Sequence, residues 1–164
     1  MFSWLRPVPM APVGLLTSSL YDDSTFFAQF ARDLRQCRHE VIIESPFATG
    51  RRVRQLMPIL QILRASNVRV VVNTRNPEEH TDRYMRDESR QVMPRLQQLG
   101  VYVLYTTGHH RKLAILDRKI LYEGSLNILS QHNSCEVMRR IESPKLAWEM
   151  ARFIKIDKFM REEL

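Results

Sequence analysis

Cysteine is scarce in this chain, with only Cys37 and Cys135 among 164 residues. Two cannot build a disulfide framework, and without a CxxC pair they do not point to zinc. Both are expected as free thiols of a reducing compartment, with Cys135 as a small packing residue. Long apolar runs are absent too, none approaching the ~18 residues that a membrane span needs. The opening MFSWLRPVPMAPVGLL is mildly apolar, but Pro7, Pro9 and Pro12 interrupt it before any small-residue cleavage site. It reads as an extended arm over residues 1–20, not a signal peptide, and a cytoplasmic location follows by default. There is no internal repeat, no low-complexity linker and no metal-ligand cluster.

Hydrophobic residues make up 44% of the chain, enough for a sizeable core, and the length suits one domain, expected over residues 21–164. Lys and Arg number 25 against 18 Asp and Glu, a formal charge of +7. That surplus attracts polyanions, either nucleic acid or an acidic membrane surface.

The coarse pattern alternates. A helix capped by Asp22 or Asp23 and running to about Cys37 carries Phe26, Phe27, Phe30 and Leu34 at helical spacing. EVIIES (40–45), VRVVVN (68–73) and VYVLY (101–105) read as buried strands. Between them, 51–65 and 88–99 read as helices, with Pro58 and Pro94 as irregularities and Gly100 as a cap. This order argues for a mostly parallel α/β sheet covered by helices. Beyond Arg111 the texture changes to a hairpin, Lys112–Leu116 and Lys119–Tyr122, around a tight Asp117-Arg118 turn. Ser125–Ser130 is expected to begin a short helix, EVMRRI (136–141) is a further strand, and 144–163 is one closing helix.

The chemistry concentrates in HHRKLAILDRKILYEGSLNILSQHNSCE. His110 and Lys112 stand two apart on a predicted strand, so an imidazole and an ammonium project from one face. Gly124 lets backbone approach an anion closely, and Ser125 and Asn127 supply neutral donors. A helix starting there would add its free N–H groups. Glu136 is placed to accept a hydrogen bond from an imidazole. A nucleophile or base, an electrophilic clamp and an orienting carboxylate are thus assembled. His109 points to the opposite face from Lys112 and is expected as surface or structural, while His39, His80 and His132 are expected on the surface. Arg51, Arg52 and Arg54 either line a nucleic-acid groove or form a solvated helix face.

His110-x-Lys112-x4-Asp117-x6-Gly124-Ser125-x-Asn127 resembles the HKD motif of the phospholipase D superfamily at every defining position. A single-motif chain of this size is similar to the small bacterial endonucleases of that superfamily, and also to HKD domains appended to helicase-like proteins. The resemblance implies a phospholipase D-like mixed sheet flanked by helices, with one HKD domain per chain. It implies a metal-independent phosphodiesterase without cofactors, most plainly a nuclease on DNA or RNA. In it His110 would attack phosphorus to give a phosphohistidine, and Lys112, Ser125 and Asn127 would hold the nonbridging oxygens. Glu136 would orient the imidazole, and Asp117 would fix local geometry. The chemistry needs two histidines, so a homodimer must complete the site; a helicase-like protein is a further implied partner. The alternatives are a nucleic-acid binding module without turnover, and a phospholipid-cleaving phosphodiesterase.

Overall fold

The computed structural model describes residues 17–130 and 135–162. In chain order the elements are β1 (Thr17–Tyr21), α1 (Phe26–Gln36), β2 (Glu40–Glu44), α2 (Gly50–Ala65), β3 (Arg69–Thr74) and α3 (Arg83–Gln98). They continue with β4 (Tyr102–Tyr105), β5 (Leu113–Leu116), β6 (Ile120–Gly124), β7 (Met138–Glu142), α4 (Pro144–Phe153) and α5 (Ile156–Glu162). Val and Ile fill the middle of β2 and β3, as suits strands buried on both faces, and every residue of β2 is buried.

The strands form one mixed sheet in the order β1-β7-β6-β5-β2-β3-β4. The β2–β3 and β3–β4 pairs are parallel and the others antiparallel. On one face α1, α2 and α3 bury Phe26, Phe30, Leu56, Leu60, Val92 and Leu96. Tyr122 of β6 meets the Phe26 and Phe30 rings edge-on, with centroids 5.6 and 5.3 Å away. On the other face α4 and α5 bury Ala147, Ala151, Ile154 and Met160 against Ile42, Val71 and Ile115.

Pairing direction decides where function can sit. The start of β5 (Leu113) lies opposite the end of β2 (Glu44), and the end of β6 (Gly124) lies opposite the start of β7 (Met138). Glu44 is also in register with Asn73, and Thr74 with Tyr105. One edge of the sheet therefore gathers the carboxyl ends of β2, β3, β4 and β6 with the amino ends of β5 and β7. Crevices outside the carboxyl ends of parallel strands are the usual ligand sites of such sheets.

Several expectations change. Thr17–Leu20, assigned to the arm, form most of β1, which hydrogen-bonds along β7; all four side chains are exposed and leave no alternating pattern to read. The rest of the arm lies outside the described residues. Pro58 does not break α2, since its side chain is exposed and the helix loses only one bond. The α3 helix begins at Arg83, earlier than its apolar pattern, because the Asp82 carboxylate caps Met85 N–H at 2.8 Å. Ser125–Ser130 is not helical: Leu126, Ile128, Leu129 and Ser130 are all buried, and the Leu129 backbone is spent on Ser45 and Thr49 rather than on a helical turn. The closing helix breaks after Ile154, where Lys155 takes φ 57°. Cys135 is exposed and not packed, whereas Cys37 is buried.

The β5–β6 turn carries Asp117 and Arg118 at φ 50° and 53°, the left-handed pair that suits a two-residue hairpin. The Asp117 carboxylate reaches back to the start of β2 and accepts the backbone N–H groups of Arg38, His39 and Glu40 at 2.8, 2.8 and 2.9 Å. Partial burial would raise its pKa, but these N–H donors prevail and hold it below the ordinary carboxylate value. Asp117→Ala should cost about 1.5–3 kcal/mol of stability at neutral pH. A depressed pKa gives stability that is complete above the unfolded-state value and lost as pH falls through the folded one. The deficit of the variant in urea unfolding should therefore shrink below the carboxylate range; an equal deficit at pH 7 and in acid would refute this role.

Candidate active site

His110 and Lys112 lie in the segment leading into β5, at the gathered edge. His110 is exposed and Lys112 half-buried. The Lys112 ammonium stands 3.0 Å from His110 Nδ1 and donates to the His110 carbonyl at 2.8 Å. Both side chains thus share one side of the chain, as the spacing predicts. Burial lowers the Lys112 pKa, with Glu136 opposing the shift and Arg75 adding to it. Glu136 is felt at Lys112, and among the described residues no hydrogen bond joins it to His110. Lys112 and Glu136 both flank regular strands, which begin at Leu113 and Met138.

The Gly124–Asn127 segment is fixed by the entry to β7 on one side and by the Lys112 carbonyl on the other. Gly124 N–H donates to the Lys112 carbonyl at 3.3 Å, and Ser125 N–H to the Val137 carbonyl at 2.9 Å. A Cβ at Gly124 would stand 2.2 Å from the Val137 carbonyl oxygen, so no other residue fits this crossing without moving backbone. The Ser125 hydroxyl accepts from Val137 N–H at 3.1 Å. Asn127 keeps a buried Oδ1 without a hydrogen-bond partner among the described residues, and its carbonyl accepts from Ser130 N–H at 3.2 Å. Leu129 N–H donates to the Ser45 hydroxyl at 3.2 Å, and the Leu129 carbonyl accepts from Thr49 N–H at 2.9 Å. That last bond sets the N-terminus of α2 beside Leu129, two residues past Asn127.

Arg51 and Arg54 are exposed on that first turn. Arg52 turns sideways, its guanidinium 4.0 Å from the Phe27 ring centroid, and burial followed by the Arg51 charge lowers its pKa. Asp117 stands at the far end of β5, so it takes no place among the groups at this edge.

His109 is buried, with both ring nitrogens lacking partners among the described residues, so its structural reading prevails over a surface one. Burial, then the charges of Arg111 and Arg75, push it down to about 4, which leaves it neutral at physiological pH. It lines a recess of about 450 Å³ with Thr106, Thr107, Gly108, His110 and Arg111. His80 is also buried, contrary to expectation; it stacks on Phe47 at 5.3 Å and meets the Ser89 hydroxyl at 3.3 Å. His39 is exposed as predicted, and His132 lies outside the described residues.

Sequence reasoning missed the frame behind the motif. Glu44 has no exposure and is gripped by Nε and Nη2 of the Arg111 guanidinium. Asn73 Nδ2 donates to Glu44 Oε1 at 2.9 Å, and the Thr106 hydroxyl donates to Asn73 Oδ1 at 3.0 Å. Arg75 Nε and Nη2 donate to the His109 carbonyl at 3.2 and 2.9 Å. Two guanidinium clamps therefore hold residues 109 and 111, the neighbours of His110. A signal was available: Glu44 and Asn73 are the polar residues that directly follow the apolar runs Val41–Ile43 and Val70–Val72.

The family described as "Cardiolipin synthase, PLD-like domain" matches residues 30–157. Among solved structures, the fold is similar to a phospholipase D family member, Nuc from Salmonella typhimurium, at 16% identity and a TM-score of 0.69, covering 84% of this chain and 91% of that one. NucT from Helicobacter pylori is similar at 16% identity and a TM-score of 0.67, covering 85% and 94%. TrmBL2, an archaeal chromatin protein with a novel mode of DNA binding, is similar at 7% identity and a TM-score of 0.58, covering 92% of this chain and 54% of its own. No curated protein matches the chain in sequence.

The Glu44–Arg111 pair yields a stability test. Arg111→Met strands a fully buried carboxylate and should cost about 3–5 kcal/mol in urea unfolding. Adding Glu44→Gln removes the stranded charge, so the double variant should be more stable than the sum of the single losses predicts. Strict additivity would refute the coupling.

Proposed function

The chain belongs to the phospholipase D superfamily, and from that membership we propose that it is a metal-independent phosphodiesterase cleaving DNA or RNA through His110. The observation that carries the reading is the His110–Lys112 contact at 3.0 Å, held on an arginine-rich edge of the sheet. An ammonium can only donate, so in this arrangement His110 Nδ1 carries the lone pair. A bound phosphate draws Lys112 onto a nonbridging oxygen. Solvent then gives a proton to Nδ1 as it takes the one on Nε2, so that Nε2 carries the lone pair that attacks phosphorus, and the Glu136 charge favours the protonated Nδ1. Lys112, Ser125 and Asn127 hold the nonbridging oxygens as their charge changes. The N–P bond forms as the bond to the leaving oxygen breaks. That oxygen takes a proton from a second imidazolium, the partner's His110. Water then attacks the phosphohistidine, returns a proton to the partner's His110, and breaks the N–P bond.

Nucleic acid is the favoured substrate because of the +7 charge and the arginines around the edge. The likeness to a DNA-binding chromatin protein supports the same ligand and also suits a binding module without turnover. The family description, which names cardiolipin synthase, keeps a lipid phosphodiester as a second reading. Among the described residues no helix is long and apolar enough to cross a membrane.

Two experiments test the proposal. Cleavage of labelled single- and double-stranded DNA and RNA should persist in EDTA, because Lys112 and Asn127 take the charge-stabilising role of a cation. Activity abolished by chelation and restored by Mg²⁺ would overturn the mechanism. For the shared site, wild-type and His110→Ala chains are denatured, mixed equally and refolded. If one site needs both histidines, roughly one quarter of the wild-type activity should remain, against roughly one half for independent sites. A linear dependence on wild-type fraction, with exchange verified by a tag, would remove the two-fold site.

A further inference from the structure

The gathered edge carries more cationic and aromatic surface than a single phosphate requires. On the sheet face covered by α1, α2 and α3, the first turns of α2 and α3 both open at this edge. The two helices are joined there: the Glu88 carboxylate of α3 accepts the Gly50 N–H of α2 at 2.6 Å. The same corner is tied to the His110 segment. Gly108 N–H donates to the Glu79 carboxylate at 2.9 Å, and Arg75 spans from the His109 carbonyl to the Phe47 ring. The surface from His110 across these loops to α2 and α3 is therefore continuous and fixed.

Its acidic groups are engaged in local bonds. Glu88, Glu79 and Asp82 each accept a backbone N–H, and Glu78 pairs with Arg90. Arg51, Arg54 and Arg86 close no ion pair among the described residues, and Arg83 reaches Asp87 only at 3.7 Å from a largely exposed side chain. Next to Arg83 stands Tyr84, 58% exposed, and Tyr105, at the end of β4 on the same sheet face, is 44% exposed. Exposed phenol rings beside solvent-facing guanidinium groups form a stacking platform within an anionic-ligand track.

We infer that Arg51, Arg54, Arg83, Tyr84, Arg86 and Tyr105 form a track for single-stranded nucleic acid leading to His110. The inference rests on the nucleic-acid reading and deepens it. The rings select a single strand, because only unpaired bases offer their faces, whereas arginines alone would accept a duplex equally. Arg52 is left out, being turned onto Phe27.

The test measures binding in a His110→Ala background, so cleavage does not interfere, using fluorescein-labelled 16-nucleotide single strands of DNA and of RNA and a duplex of the same sequence. Fluorescence anisotropy is read across a salt series. The single strands should bind more tightly than the duplex. Arg51→Ala/Arg54→Ala and Arg83→Ala/Arg86→Ala should each weaken binding at least tenfold at low salt, and each should flatten the salt slope by about 1.4, or roughly 0.7 for each phosphate no longer neutralised. Tyr84→Ala should weaken binding about fivefold or more while leaving the slope unchanged, the signature of missing base stacking. Lys145→Ala/Arg152→Ala, on α4 across the sheet, should bind like the parent. Retained affinity in the α2 and α3 variants, an equal loss from the α4 variant, or single-strand binding that ignores Tyr84 would overturn the track. Cleavage by the wild-type protein tests catalysis separately, so the track and the nuclease reading fail independently.

Discussion

A carboxylate sealed from water must be neutralised where it stands, and much of the site is arranged around that requirement at Glu44. Its position at the end of β2 brings it within reach of Arg111, on a segment remote in sequence. The pair ties the centre of the sheet to the residue between His110 and Lys112. Alternation along an extended chain then turns His110 and Lys112 away from Glu44. Anchoring proceeds on one face of the chain and phosphate chemistry on the other, so neither group of side chains competes for the other's partners. Arg75 repeats the device on the His109 carbonyl, where a backbone acceptor is held without use of the His109 ring.

Legibility in the sequence followed how local each determinant was. The three apolar strands and the hairpin could be read because Val, Ile and Leu runs and a two-residue polar turn carry their meaning within a few residues. The His110–Lys112 juxtaposition followed from that, whereas the mixed sheet was implied by the motif's resemblance: the alternation argued for a mostly parallel sheet, but only β2–β3 and β3–β4 are parallel and the other four pairs are antiparallel. β1 could not be read, because TSSLY is polar and lies at an edge, held mainly by backbone bonds to β7. Ser125–Ser130 misled for the opposite reason: Leu126, Ile128 and Leu129 are apolar at close spacing, which suits either a helix or a buried loop, and tertiary bonds from Ser45 and Thr49 settle the choice. His80 was misplaced because nothing nearby in sequence announces Ser89 and Phe47 as its neighbours.

The candidate site divides in the same way. His110, Lys112, Gly124, Ser125 and Asn127 lie on two adjacent segments whose spacing is a property of one hairpin, so a linear motif records it. Glu44, Asn73, Arg75 and Thr106 come from three other segments, and only the crossing of β2, β3 and β4 at one edge unites them. Glu136 falls between these cases: it is close in sequence, yet the irregular stretch before β7 brings its charge to Lys112 without a direct bond to the imidazole.

The placement of β1 bears on how the protein avoids sticking to itself. The outward backbone edge of β7 is covered by a strand whose exposed side chains are Thr17, Ser18, Ser19 and Leu20. A shortened form of the protein lacking residues 17–21 would bare the rim formed by Met138–Glu142, whose side chains Met138 and Ile141 are buried in the intact sheet. An uncovered strand of that kind is a template for edge-to-edge polymerisation. The border strand thus caps β7, and its loss would change colloidal behaviour as well as folding energy.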